Sequence, residues 1–171
     1  MRIIRNGAMG AAMLALASCG GESTNATSNA VAANVQIEAG AWEVTEHTLD
    51  MSAPGMPEGA DEMMKPGPVT VATCITAEQA QKPGPDLFLG EMDAGCTQEG
   101  FKAAGGEVSG TLTCGGNGAG KVVTKLDGSF DARGFDVHTQ ATEDQQGTPM
   151  TIKRRFSGRR LGDCPSGAKE G

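Results

Sequence analysis

Residues 96–114 read CTQEGFKAAGGEVSGTLTC, and this stretch decides the fold because two cysteines flank a glycine turn. Apolar and polar residues alternate from Glu107 to Cys114, which predicts a half-buried strand. A three-residue loop at 104–106 would place Cys96 opposite Cys114, whereas a two-residue loop would put the two thiols on opposite faces. We therefore predict a hairpin with the three-residue loop, closed by a Cys96–Cys114 disulfide.

Short alternating segments separated by glycine turns surround this hairpin. They predict further strands at residues 40–45, 69–74, 121–130, 135–141 and 150–158. The 26 glycines favour turns, bulges and strands over long helices. One short helix is predicted, since Thr76 and Gln79 form a capping box and the helix runs to Ala80 or Gln81, before Pro83. The predicted fold class is mainly β, an antiparallel meander that forms a curved sheet or a partly closed small barrel.

Residues 51–68 are rich in turn residues and predict a long surface loop. This segment also carries several methionines, close in sequence to His47: Met51, Met56, Met63 and Met64. Thioether and imidazole groups are suitable ligands for Cu(I), so copper binding by this methionine loop is one functional alternative. The simpler interpretation is a flexible loop or a weak hydrophobic contact surface.

Four of the five cysteines lie in the predicted β segment, and four cysteines allow three disulfide pairings. Because the hairpin register favours Cys96–Cys114, the remaining pair is Cys74–Cys164. By chain entropy the first bond is worth roughly 3 kcal/mol and the second roughly 4–5 kcal/mol. A Cys₄ zinc site would be expected to show short Cys-x₂-Cys spacings, which are absent here, so we predict neither a metal nor a cofactor.

The N-terminal segment is typical of a secretory signal. Arg2 and Arg5 precede an apolar run at residues 7–17, shorter than the roughly 20 residues that cross a bilayer. The run ends in Leu16-Ala17-Ser18-Cys19, which resembles the bacterial lipoprotein box. That resemblance implies cleavage before Cys19 and attachment of a diacylglycerol to its thiol. The alternative is an ordinary secretory signal that leaves Cys19 as a free thiol.

These features divide the chain into four predicted parts. They are a signal peptide (1–18), the lipidated cysteine with a flexible tether (19–36), a disulfide-stapled β domain (37–164) and a disordered tail (165–171). Two or more acyl chains anchor a protein stably to a membrane. Gly20 rather than aspartate follows the cysteine, and by analogy with the sorting of the bacterial lipoproteins that the box resembles we expect the outer membrane, with the domain facing the periplasm.

The charge balance excludes nucleic acid as a main partner. Residues 1–18 hold two of the 14 basic residues and no acidic residue, so the rest of the chain has 12 basic and 21 acidic residues, a net charge of −9. A chain this acidic repels phosphate backbones and anionic lipid surfaces.

No catalytic constellation is identified, and we predict that the protein is not an enzyme. His47 and His138 alternate outward on their strands, and no Gly-x-Ser-x-Gly nucleophile elbow is present. Residues 115–121 match the first seven positions of a phosphate-binding loop, but Val122 occupies the place of the Ser or Thr that holds Mg²⁺.

Three side chains are candidates for ligand binding: Trp42, Arg154 and Arg159. A tryptophan on the first strand with arginines on the last strand is similar to the lipocalin arrangement, in which Trp packs under Arg. Arg154 shares a strand face with Ile152 and Phe156, and an inward arginine there could bind a carboxylate or phosphate group. The alternative is that the basic cluster pairs with the acidic surface.

Several motifs occur in a fixed order along the chain: Gly40-Ala41-Trp42-Glu43-Val44-Thr45, Pro54-Gly55-Met56-Pro57, Cys74-Ile75-Thr76-Ala77-Glu78-Gln79-Ala80, Gly95-Cys96-Thr97, the Cys114 strand and Gly158-Arg159-Arg160-Leu161-Gly162-Asp163-Cys164. Together they resemble the bacterial envelope family known as domain of unknown function 3617, over about residues 37–164. The resemblance implies a secreted or lipid-anchored β-rich domain and supplies no catalytic residues.

These observations predict a membrane-anchored periplasmic lipoprotein that acts as a non-enzymatic binding or envelope-interaction module. Its partners would be the membrane, through Cys19, and an unknown envelope protein or small ligand. A lipocalin-like carrier of a lipophilic or anionic ligand would have an enclosed apolar pocket. A protein-contact module would have a filled core and an exposed apolar patch, for which the methionine loop is a candidate.

Overall fold

The computed structural model describes residues 35–90, 92, 95–115, 120–145 and 147–166. The predicted signal peptide and Cys19, the tether up to residue 34, residues 116–119 of the glycine-rich loop and residues 167–171 of the predicted tail lie outside this description. The described elements are β1 (Gly40–Ser52), α1 (Ala60–Met64), β2 (Val69–Ile75), α2 (Ala77–Gln81), α3 (Pro85–Leu89), β3 (Cys96–Ala104), β4 (Glu107–Cys114), β5 (Val122–Phe130), β6 (Gly134–Gln145) and β7 (Thr148–Gly162). None of the helices in these ranges is long and apolar enough to span a membrane.

All seven strands form one antiparallel sheet in the order β2-β1-β7-β6-β5-β4-β3. The predicted mainly β fold is therefore confirmed, and strands β3 to β7 form the expected meander. Of the two predicted forms, a sheet or a partly closed barrel, the structure has the sheet: β2 and β3 lie at opposite edges, and the sheet is not closed. The segment between these two strands forms α2 and α3 and buries Leu87 and Phe88 in the core instead of supplying a closing strand.

The described ranges contain three short helices, whereas the sequence predicted one. The capping box of α2 is present: Gln79 N–H donates to Thr76 Oγ1 (3.2 Å), and Thr76 N–H donates to Gln79 Oε1 (2.8 Å). Helix α1 lies inside the predicted loop at 51–68, whose first two residues extend β1. Helix α3 was missed, although Pro85 stands in its first turn, where proline is well tolerated.

The β3–β4 hairpin reaches the predicted cysteine register by a different route. The turn has two residues, Gly105 and Gly106, both with positive φ (64° and 85°), and the predicted three-residue loop is wrong. A bulge between Glu99 and Lys102 inserts one extra residue, with Gly100 at φ 61°. This insertion shifts the register by one and places the two cysteines opposite each other. Both disulfides of the predicted fold are present, Cys96–Cys114 and Cys74–Cys164.

The core lies on one face of the sheet, under α2 and α3. Phe88 of α3 is fully buried and contacts Phe130 and Phe135, with ring centroids 5.8 Å and 5.4 Å away. Trp42 of β1 is also fully buried on this face. The helices cover the middle of the sheet but leave the first residues of β2 exposed, and this uncovered end positions the candidate site.

Candidate binding groove beside strand β2

An apolar groove of about 350 Å³ lies between the β1–β2 end of the sheet and helices α2 and α3. We call it the β2 groove. Val44, Val71 and Phe156 line it from the sheet, and Leu87 and Leu89 line it from α3. Apolar concavities of this size are typical of binding sites.

The exposure of two valines distinguishes this groove from the rest of the core face. Val71 is paired with Val44, so alternate residues of β2 share the core-facing side with Trp42 and its neighbours. Val69 and Val71 are 56% and 53% exposed, whereas Ile75, at the other end of the same strand, is 4% exposed. The helices therefore cover only the C-terminal end of β2 and leave an apolar strip open to solvent.

The groove extends to the backbone of β2. Ala72 and Cys74 also line it, although their side chains alternate to the opposite face of the sheet. Strand β2 is at the edge of the sheet and pairs with β1 alone among the strands that the structure describes. The groove and the outer edge of β2 thus form one continuous surface.

Two carboxylates, Glu46 and Asp86, also line the β2 groove. Glu46 Oε1 lies 3.1 Å from the buried Nε atom of Arg154. The two side chains form an ion pair, but the contact is not aligned as a hydrogen bond. Arg154 lies on the core-facing side of β7, as expected for a residue two positions from Phe156 on the same strand. Its counter-ion is provided by the protein itself, so the arginine partly neutralises one of the two acids at the groove.

The three predicted ligand-binding residues do not come together in one site. Trp42 is buried in the core, where its Nε1–H donates to the Glu38 carbonyl oxygen (3.0 Å). Arg159 lies on the other face of the sheet, with its Nε donating to Glu43 Oε1 (2.9 Å). The residue opposite Trp42 on β7 is Arg160. The ligand-binding roles of the three residues stay predictions.

The face of the sheet opposite the groove carries charged pairs. Arg155 donates to Asp136 through Nε (2.9 Å to Oδ2) and through its terminal nitrogen, and His138 Nε2 lies 3.3 Å from Asp136 Oδ1. The Arg155 hydrogen bonds lower the pKa of Asp136 below its ordinary value. Both histidines are exposed, as their alternation predicts. Within the described ranges, no group of three or more His, Cys, Asp or Glu residues is arranged to hold a metal ion.

The methionine loop supplies a second exposed apolar feature. Met63 and Met64 lie on α1 and are 90% and 50% exposed. Copper binding by the methionine loop stays a prediction. The β2 groove was not predicted from the sequence, in which the available signal was the pair Val69 and Val71 on a strand beside a turn-rich segment.

A comparison with protein families matches residues 37–164 to DUF3617, described as a protein of unknown function. The matched range contains all seven strands, all three helices and both disulfides. No curated protein and no solved structure matches the chain.

Proposed function

This chain belongs to the DUF3617 family of proteins of unknown function, and we propose that it is a non-enzymatic binding module of the bacterial envelope. In this proposal Cys19 carries the lipid that anchors the protein to the outer membrane, and the β2 groove binds a protein partner in the periplasm. The single observation that carries the proposal is the open groove, in which two valines remain more than half exposed beside a filled aromatic core.

Exposed valines at the mouth of an apolar groove support a binding role. Burying apolar area stabilises by about 25 cal/mol per Å², so leaving these side chains in water sacrifices stability that a covering residue would recover. Contiguous exposed apolar patches of this kind mark contact sites. The aromatic residues fill the core on the same face, so the groove is not a defect in packing.

The two disulfides support a location outside the cytosol, since such bonds persist in oxidising compartments. The lipoprotein box at Leu16-Ala17-Ser18-Cys19 supports anchoring of the domain to the membrane through Cys19. An anchored domain with an open apolar groove suits a protein that holds a partner near the membrane.

A carrier of a lipophilic ligand is the second candidate. The groove volume of about 350 Å³ falls within the range of small-molecule sites, and Arg154 lies next to it for an anionic head group. The open sheet does not provide the enclosed cavity that a lipocalin-like carrier would use. An anionic ligand would also have to displace Glu46 from Arg154.

The first experiment tests the anchor. Mass spectrometry of the native protein is expected to find residues 1–18 removed and Cys19 acylated. The Cys19→Ala variant is expected to fractionate with soluble periplasmic proteins. An unmodified thiol on Cys19 in the native protein would contradict the anchor.

The second experiment tests the groove with two matched substitutions. Val71→Lys places a charge in the groove, and Leu161→Lys places the same charge on a strand residue of nearly equal exposure, 51% against 53%, outside the groove. In pull-downs from solubilised envelopes, we expect Val71→Lys to lose a protein that Leu161→Lys retains. Crosslinking from a photoreactive residue at position 69 would identify that protein.

The same two variants separate the protein-binding role from the carrier role. Saturable binding of a fluorescent fatty acid that Val71→Lys abolishes, with no protein lost in the pull-down, would favour the carrier. Equal behaviour of the two variants in both assays would remove the groove from either function.

A further inference from the structure

We propose that the partner binds as an extended segment that adds a strand to the edge of β2 that pairs with no strand in the described ranges, with alternate apolar side chains in the β2 groove and basic residues at its ends. This inference rests on the proposed function and names its partner class. Strand addition is a recurrent mode of peptide recognition in which backbone hydrogen bonds supply affinity and pockets for alternate side chains supply specificity.

The two edges of the sheet differ in a way that favours β2. At the β3 edge, the ladder is interrupted by the bulge at Gly100, and the charged residues Glu99 and Lys102 flank that bulge. Bulges and charges are the devices by which proteins keep edge strands from pairing. The chain therefore protects one edge of its sheet against another strand.

The edge at β2 lacks these devices. Its residues read VTVATCI, with no charged residue and no proline, and its pairing with β1 runs from Val69 to Ile75 without a register shift. Residues 69–72 are exposed. A regular, uncharged strand edge is a template for another strand, because its outward N–H and C=O groups align with those of an extended chain.

The β2 groove lies where an added strand would place its side chains. A strand paired with β2 would lie about 4.8 Å from it, and alternate side chains would point to the core-facing side. On that side the exposed faces of Val69 and Val71 and the α3 residue Leu89 line the groove. An aliphatic residue at every second position of the incoming segment would cover this strip. A lipid chain could fill the groove, but it could not satisfy the backbone groups of the edge.

The charges at the groove determine which segment fits. Asp86 lines it, as does Glu46, which Arg154 partly neutralises, and the chain after residue 18 carries a net charge of −9. Complementary charges steer association and exclude wrong partners. A segment with Lys or Arg at its ends is therefore favoured. A second copy of this chain would bring the same two acids and the same net negative charge to the contact.

A defined peptide tests the mode of binding. The probe is fluorescein-labelled Lys-Lys-Val-Thr-Val-Thr-Val-Lys-Lys, titrated into the full mature protein and followed by fluorescence anisotropy. We expect saturable binding that Val71→Lys weakens at least tenfold and Leu161→Lys changes less than twofold. Replacing the four lysines with glutamates is expected to weaken binding at least fivefold. Thermal unfolding of both variants establishes that each is folded.

Backbone methylation of the probe separates strand addition from simple apolar contact. In a strand, the N–H groups of alternate residues point to the same edge, so methylation on the valines and methylation on the threonines block opposite edges. One pattern is expected to weaken binding at least tenfold and the other less than twofold. Equal effects of both patterns, or no saturable binding, would overturn strand addition.

The outcomes distinguish this inference from the proposed function. If the methylation patterns act equally while Val71→Lys still loses its envelope partner, strand addition is overturned and the binding role stands. If the pull-down also becomes insensitive to Val71→Lys, both are overturned. If analytical ultracentrifugation finds a dimer that Val71→Lys dissociates, the occupant of the β2 edge is a second copy of this chain. That result would overturn the proposal that a basic segment of another protein binds there.

Discussion

The rings of Trp42 on β1 and Phe135 on β6 stack with centroids 5.9 Å apart and planes 22° apart, although β7 lies between their strands. The intervening strand carries Gly158 opposite Phe135, and the Phe135 ring occupies the space that a side chain there would need. Phe88 meets Phe135 edge-on from α3. This aromatic contact joins the sheet to the helix that forms one wall of the β2 groove.

Gly158→Ala is expected to lower the free energy of unfolding by about 1–3 kcal/mol, because the added Cβ overlaps the Phe135 ring in a packed core. Urea denaturation measures this change. The control is Gly67→Ala, where an added Cβ meets no atom within 4 Å and the expected change is within about 0.5 kcal/mol. Equal stability of the two variants would mean that the stack does not depend on the glycine.

Gly100→Val is expected to destabilise the protein by about 1–2 kcal/mol, because Gly100 has φ 61° and β-branched residues are strained in that region. Gly100→Asn should cost less, since asparagine adopts this conformation more readily. Chemical denaturation of both variants gives the comparison. A valine variant as stable as the asparagine variant would argue against the positive φ at the bulge.

The two disulfides are expected to contribute unequally to stability. They join residues 90 and 18 positions apart, and chain entropy gives the longer loop roughly 4–5 kcal/mol against roughly 3 kcal/mol for the shorter. The double variant Cys74→Ser/Cys164→Ser should therefore unfold at lower urea concentration than Cys96→Ser/Cys114→Ser. The reverse order would show that native contacts, rather than loop length, dominate.

The Asp136–Arg155 pair is expected to make stability depend on pH in the acid range. Hydrogen bonds from Arg155 lower the pKa of Asp136 in the folded protein, so the folded state binds a proton there less readily than the unfolded state. This contribution is fully present above the unfolded pKa of about 4 and is lost as the pH falls through the lower folded pKa.

Asp136→Asn tests this pair through urea midpoints at neutral and acid pH. At pH 7 the urea midpoint of the wild type should exceed that of the variant. The margin should be small, because both side chains are partly exposed and solvent screens the pair. The margin should close at a pH below the folded pKa and narrow in 1 M salt. A margin that stays constant with pH would assign the effect to packing rather than charge.

Local patterns were sufficient to predict much of the fold. The alternation in residues 107–114 predicted a strand, and Thr76 with Gln79 predicted the start of α2, because each signal depends on neighbours in sequence. The cysteine pairing was also predicted, although its register arises from a two-residue turn plus a bulge rather than from a three-residue loop. A three-residue loop and a two-residue turn followed by a one-residue bulge give the same strand pairing at the cysteines. The sequence pattern therefore could not distinguish the two.

The β2 groove could not be predicted in the same way. It needs β2 at the edge of the sheet, and it needs Ile75 to be covered while Val69 and Val71 stay exposed. Neither condition appears in any local pattern, because both depend on where residues distant in sequence pack against the sheet.

The amino-acid sequence by itself determined the antiparallel β class, the capped helix and the Cys96–Cys114 pair, since strand alternation, capping and hairpin register are properties of short segments; Cys74–Cys164 followed as the remaining pair. Only the tertiary structure decided that the sheet of described strands is not closed, that Arg154 pairs with Glu46, and that an apolar groove lies beside the edge strand β2. These features come from long-range packing, in which β1 pairs with β2 on one side and with the last strand, β7, on the other.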